Sequence, residues 1–288
     1  CRWTTYSCNW HNILKVLMGT LFIVATPIGN LKDITFRAVE ILNNVEIILS
    51  ENTRISKVLL KKYNISTRLI SYNDHNHKKK IIKILEILKT SDIALITDAG
   101  TPGISDPGSQ LVLEARKNDI TINAVPGPSA LSSAISISGL KSNKFCFIGF
   151  PPKKYNQRKE TFLEIIKVSP IIMFESPRRI INLIKSIDDI FEECNIILFK
   201  EITKIHESVF IGNPAEILKQ MSNPKGEYVL ILQNGKENHE PNPEVLSEEI
   251  KKYIKQGLSG KDIVKKMSIS KELPKKMIYE LYLKEKDY

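Results

Sequence analysis

The chain of 288 residues is poor in cysteine, and its four cysteines are not clustered. Cys1, Cys8, Cys146 and Cys194 fall at spacings that suit neither a metal site nor a disulfide framework, so no metal is expected and a reducing cytoplasm is. No apolar run reaches the length of a bilayer span, and no membrane partner is expected. Two phosphate-binding signatures, GxxxxGK[ST] and GxGxxG, are also missing. The net charge is +10, yet between Lys89 and Lys141 the only basic residues are Arg116 and Lys117. Together these absences exclude a secreted disulfide scaffold, a zinc module and a nucleotide phosphate loop.

What stands inside that cation-poor interval is residues 97–108, TDAGTPGISDPG. It follows an apolar run at 93–96 that reads as a buried strand and precedes a helical pattern from Leu111. Gly100, Gly103 and Gly108 permit sharp turns and close approach to a ligand, while Pro102 and Pro107 stiffen the loop. Its charges, Asp98 and Asp106, are both negative. Such a loop suits a neutral or cationic ligand carrying hydroxyls and an amine; S-adenosylmethionine, with its sulfonium, meets that description. An ordinary strand-to-helix connection is the plainer alternative.

The rest of the chain alternates strand and helix with short loops. Strands are predicted at 21–25, 45–49, 69–72 and 120–125, with helices between them and Asp33 capping the first. This describes a largely parallel α/β domain over 18–140. A second α/β domain, 141–236, starts near Phe145 and carries strands at 171–174, 196–199, 208–211 and 228–232, the last ones antiparallel; Ser176-Pro177 opens one of its helices. Residues 237–288 read as a linker and a helical tail of helix-turn-helix type, broken at 257–260. Residues 1–17 are neither periodic nor signal-like, and are expected to be an extraneous leader ahead of Met18.

Four segments, ATPIGNLKDIT, TDAGTPGISDPG, VPGPSA and FESPRR, together resemble the bacterial small-subunit rRNA cytidine 2′-O-methyltransferases of the tetrapyrrole-methylase superfamily, over about residues 20–285. That resemblance implies two α/β domains with S-adenosylmethionine in the cleft between them, a homodimer, and a cytidine ribose hydroxyl of 16S rRNA, free or in the 30S subunit, as acceptor. By match to the family's segments, the cofactor side comprises Pro27, Ile28 and Gly29; Asp98, Ala99, Gly100, Thr101, Pro102 and Asp106; and Pro126, Gly127, Pro128 and Ser129. The second domain adds Phe174, Glu175, Gly226 and Glu227. Three segments depart from the family's usual pattern. Asn52 replaces an acid in the segment Glu51 to Arg54, Arg178 replaces a histidine, and Asn73-Asp74 alters the stretch before His75.

Methyl transfer from a sulfonium is an in-line displacement that needs a well-placed acceptor and a route for its proton. Candidate catalytic residues are Glu51, Arg54 and His75, with Asp74 as a further candidate base; each could instead cap a loop. Lys153, Lys154, Tyr155 and Arg158 form a candidate RNA surface, since cations interleaved with an aromatic suit phosphates and a stacked base; the alternative is a solvated helix face. Two rival functions are a tetrapyrrole methylase of the same superfamily and a non-catalytic RNA-binding protein. The intact central loop argues against the second, and the basic balance and helical tail argue against the first.

Overall fold

Short strands, the central ones apolar and buried on both faces, build a sheet between two helix layers. In the computed structural model, which describes residues 18–72, 77–142, 144–165, 170–234, 243–270 and 275–286, β1 (Thr20–Val24), β2 (Ile47–Ser50), β3 (Arg68–Ser71), β4 (Ile93–Ile96) and β5 (Thr121–Val125) pair in the order β3-β2-β4-β1-β5. Every pairing is parallel. Side chains alternate between the faces: Leu21, Ile47, Leu49, Ile93 and Leu95 pack on one side, and Val24, Ile48, Ala94 and Ile96 on the other. Helices α1 (Phe36–Asn44) and α2 (Thr53–Lys62) cover the second face, while α3 (His77–Leu88) and α4 (Ser109–Lys117) cover the first.

The predicted cap of the first helix is corrected. Asp33 belongs to a short 3-10 turn, Leu31–Asp33, whose cap is Asn30. Helix α1 begins later, with the Thr35 hydroxyl accepting from the Ala38 N–H at 3.1 Å.

After α5 (Ala130–Ile137) comes a second sheet of β6 (Cys146–Phe147), β7 (Ile171–Glu175), β8 (Cys194–Lys200), β9 (Ser208–Gly212) and β10 (Tyr228–Asn234). Its order is β6-β7-β10-β8-β9. The pair β6 and β7 is parallel and the remaining pairs are antiparallel, as the sequence predicts for the later strands. Ile171, Met173, Ile196, Leu198, Leu230 and Leu232 face a layer formed by α6 (Tyr155–Ile165), α7 (Ile180–Ile190) and α8 (Pro214–Gln220). Ile172, Ile197, Phe199, Val229 and Ile231 face Ile28 and α5. Full burial of each such side chain stabilises by about 1.5–3 kcal/mol, which welds the second sheet to the loop after β1. Helix α7 begins at Ile180, after a turn through Ser176–Arg179, rather than at Ser176.

The described residues up to Asn234 form one compact unit and those of the tail a second. In the tail α9 (Pro243–Lys255), α10 (Gly260–Ser270) and α11 (Lys275–Lys286) enclose Leu246, Ile250, Ile263, Met267 and Ile278. The leader 1–17 and the segment 235–242 lie outside the described residues.

Candidate active site

In the parallel sheet, the connection from β1 leads towards β2 and that from β4 leads the opposite way to β5. Each connection crosses the other's strand, α1 over one face of the sheet and α4 over the other. Adjacent strands whose connections leave to opposite faces open a crevice at their carboxyl ends, the usual ligand position in such sheets. The two loops that flank it are residues 25–30 and 97–108. They are stitched together by reciprocal backbone hydrogen bonds between Thr26 and Gly100, at 2.9 and 3.0 Å, and by the Thr26 hydroxyl donating to the Thr97 carbonyl at 3.1 Å. The Thr101 hydroxyl donates to the Pro128 carbonyl at 3.2 Å, drawing in the loop after β5. Gly100 has φ +78°, and a Cβ there would lie 3.4 Å from the Ile28 side chain. This is the position where the left-handed backbone requires glycine.

The second sheet supplies the opposite wall. Phe174 and Glu175 end β7, Tyr228 and Val229 begin β10, and Glu201, Ile202 and Lys204 come from the turn after β8. Glu201 and Thr203 hold left-handed φ values of 55° and 69° in that turn. Lys204 donates to Glu201 at 2.8 Å and to Glu227 at 3.0 Å, and the Thr203 hydroxyl accepts from the Asn30 N–H at 3.1 Å. The cavity between the walls has a volume of about 350 Å³, within the roughly 300–1,000 Å³ of small-ligand sites.

Charge is unevenly satisfied across this cavity. Four carboxylates line it, Asp106, Glu175, Glu201 and Glu227, against the single cation Lys204 among the described lining residues. Glu175 is committed internally: one oxygen accepts from the Ser176 N–H at 2.7 Å and the other pairs with Arg179 at 2.9 Å. Burial disfavours ionisation of Glu201, but donation from Lys204 and the Glu227 N–H holds its pKa below the usual value. Lys204 is likewise opposed by burial, yet its two glutamates keep its pKa raised. Asp106 has neither kind of support. Burial first, then repulsion from Glu51, Asp98 and Glu227, pushes its pKa to about 7. Asp98 is also raised by burial, although it accepts from the Asn52 N–H at 3.1 Å.

Comparison with known proteins agrees with this architecture. Residues 20–218 match the family described as Tetrapyrrole (Corrin/Porphyrin) Methylases. The chain belongs to the tetrapyrrole methylase family. Among its relatives, a protein of Thermotoga maritima named ribosomal RNA small subunit methyltransferase I is 43% identical over 225 residues, covering 76% of this chain and 100% of the relative. A protein of the same name from Halalkalibacterium halodurans is 36% identical over 276 residues, covering 93% and 96% respectively. The solved uroporphyrin-III-C-methyltransferase of Thermus thermophilus shares the fold with a TM-score of 0.53 at 15% identity, covering 75% of this chain and 92% of that one.

In this methylase the residues predicted for the cofactor side divide into two groups, with Pro102 in neither. Ile28, Ala99, Gly100, Thr101, Asp106, Ser129, Phe174, Glu175 and Glu227 line the cavity. Pro27, Gly29, Asp98, Pro126, Gly127, Pro128 and Gly226 shape the loops behind that lining. A Cβ on Gly127 would press on Ala25 at 3.1 Å, one on Gly29 would meet Lys204 and Thr203, and one on Gly226 would meet the Glu201 carboxylate. Pro102 faces a separate pocket with Gly108, Val112 and Arg116.

Among the catalytic candidates, Glu51 lies near enough to act on Asp106 electrostatically, Arg54 is exposed, and His75, with Asp74, lies outside the described residues. Asn52, which departs from the family pattern, caps α2 by accepting from the Arg54 N–H at 3.1 Å.

On the predicted RNA strip, Lys153, Lys154 and Tyr155 are exposed, but Arg158 is only 6% exposed and is removed from the surface set. Its guanidinium donates to the Pro152 carbonyl at 3.1 Å, the Lys153 carbonyl at 3.4 Å and the Ser186 hydroxyl. A signal was present in the sequence: Arg158 lies four residues before Phe162, hence on the same helix face as that buried ring. Residues that sequence reasoning missed include Phe150, Ser105, Glu201 and Lys204; the last two sit in a turn with no recognisable pattern.

Proposed function

We propose that this chain is an S-adenosylmethionine-dependent methyltransferase acting on the ribose 2′-hydroxyl of a cytidine in small-subunit rRNA. The observation that carries the cofactor reading is the acidic cavity at the switch point, in a chain otherwise strongly basic. Opposite charges attract strongly in such partly desolvated surroundings, so a sulfonium fits where a phosphate would be repelled. Ile28, Phe174, Ile202 and Val229 offer apolar walls for a ring system, and Gly100 leaves backbone open to a close ligand. The rRNA reading is supported by the names of the relatives, which align over nearly their whole lengths, and by the exposed Lys153 and Lys154.

The bound cofactor would supply the methyl group. What the chain must supply is an acceptor held in line and a place for its proton. Asp106 is the carboxylate we assign to that proton, because it is half ionised near neutrality and Glu51 and Asp98 oppose its remaining charged. A base with a pKa near the working pH is best matched to proton transfer. Cytoplasmic operation, on free rRNA or the 30S subunit, belongs to the same proposal. So does a homodimer, since Phe36 and Ile205, 99% and 97% exposed, are apolar side chains that a second copy would cover.

The test is incubation of purified protein and labelled S-adenosylmethionine with small subunits lacking the modification, followed by mapping of the label. Label on a cytidine ribose is expected. Label on another position of the rRNA, or nowhere, would overturn the reading.

A further inference from the structure

Phe150 lines the cavity and is nevertheless 52% exposed, which puts it at the rim rather than in the wall. One edge rests on Phe174, with ring centroids 5.9 Å apart and planes inclined at 66°. Phe174 rests in turn on Phe147 at 5.0 Å. The segment carrying Phe150 is held with unusual firmness for an exposed loop. Gly149 adopts φ +63°, and its carbonyl accepts from the Phe174 N–H at 2.9 Å.

Three successive carbonyls that follow are taken by two guanidinium groups. Arg179 donates to Pro151; Arg158 donates to Pro152 and Lys153. Each guanidinium is itself fixed, Arg179 by the buried Glu175 and Arg158 by Ser186. Planar forks of this kind lose little further freedom when they bind. The loop that results presents an aromatic ring towards the cavity and, a few residues further on, the exposed Lys153, Lys154 and Tyr155.

A rigid ring with an open face beside cations is the arrangement that binds single-stranded nucleic acid, the ring stacking a base and the cations meeting phosphates. We infer that Phe150 is the platform on which a base of single-stranded rRNA stacks, presenting the acceptor ribose to the cavity while Lys153 and Lys154 hold the neighbouring phosphates. The inference rests on the rRNA reading and adds to it the residue that positions the acceptor. Because every base has a π-face, Phe150 sets position along the strand and not base identity.

The experiment compares the full chain with its Phe150→Leu and Phe150→Trp variants. Leucine keeps apolar bulk and removes the ring; tryptophan keeps a ring. Methyl transfer to unmodified small subunits should show a KM raised roughly ten- to hundredfold for Phe150→Leu, the span expected when one stack is removed. Phe150→Trp should restore it, and any loss of cofactor affinity by calorimetry should be much smaller than the rise in KM. In a separate binding measurement, a single-stranded cytidine-containing oligonucleotide should quench the emission of Phe150→Trp beyond any change in wild type, whose own tryptophans are Trp3 and Trp10.

An unchanged KM for Phe150→Leu, or cofactor affinity falling as much as KM rises, would overturn the platform. Absence of the extra quench would also overturn it, with no reliance on activity. An inactive wild type would instead strike the rRNA reading, so the two failures are separable.

Discussion

The two walls of the cleft are made by different physics. The wall from the parallel sheet is positioned by backbone: reciprocal bonds between Thr26 and Gly100, a left-handed Gly100, and the Thr101 hydroxyl on the Pro128 carbonyl. The wall from the second, mixed sheet is positioned by ion pairs, Glu175 with Arg179 and Lys204 with Glu201 and Glu227. The consequence is that carboxylates of the second wall are already paired, whereas Asp106 on the first is pushed up to about 7 by burial and acidic neighbours and so can take or give a proton near neutrality. A census of acidic residues alone would treat these as equivalent. Their partners decide which of them is chemically available.

The largest expected effect comes from removing that proton acceptor. Asp106→Asn should lower kcat/KM by roughly 10²–10⁴, the usual contribution of a positioned acid or base. Wild-type kcat/KM should rise with pH through about 7, where Asp106 ionises, and the variant should lose this limb. Stability should move the other way. The folded-state pKa is raised, so the folded protein holds this proton more tightly, and wild-type stability falls as pH rises from the free aspartate range, about 4, through about 7. The Asn variant should therefore melt higher than wild type at pH 8 and equally at pH 4. A higher melting temperature at pH 4 and none at pH 8 would contradict the assignment.

A somewhat smaller effect is expected where backbone does the positioning. Gly100→Val places a branched side chain at φ +78° against Ile28. Strain of order 1–3 kcal/mol, together with the blocked approach to the ligand, should weaken cofactor binding about a hundredfold in a protein that still folds. Calorimetry of a folded variant with normal affinity would show that the first wall does not contact the ligand through its backbone.

The last two predictions separate the cations of the rim. Arg158→Ala should cost about 1–3 kcal/mol of stability, because the buried Ser186 hydroxyl and the part-buried Pro152 carbonyl lose their donor, and a denaturant titration measures it. Lys153→Gln with Lys154→Gln should leave stability within about 0.5 kcal/mol but reduce the log–log salt slope of RNA binding by roughly 0.7–0.9 for each phosphate no longer neutralised. Equal slopes for the variant and wild type would remove the two lysines from the RNA surface, and an Arg158→Ala protein as stable as wild type would show that its bonds do not tie the loop.

Much of this is legible in the chain. The strands of the first sheet are short apolar runs between helical periods, and glycine, proline and the lack of cations single out residues 97–108, which contribute to the cavity lining. Less legible is the use of each charged side chain. The family resemblance puts Glu175 on the cofactor side, and it does line the cavity, yet its oxygens are engaged by Ser176 and Arg179. Asp33 reads as a helix cap, but the chain makes one more turn before Thr35 takes that place. Glu201 and Lys204 carry no motif at all; they reach the cleft because β8 and β10 are hydrogen-bonded neighbours, bringing Glu227 beside them.

The sequence by itself determined the local terms: apolar period, left-handed turns where glycine stands, and the segregation of basic residues from the central loop. These follow from backbone sterics and burial, which depend on residue type and near neighbours. Only the tertiary structure decided that Arg158 turns inward to Ser186, 28 residues away, that Asp106 is left to the repulsion of its acidic neighbours while Glu227 has Lys204, and that Phe150 stands at the rim. The reason is physical: hydrogen-bond and ion-pair partners are set by which elements pack together, and that choice is made over the whole chain.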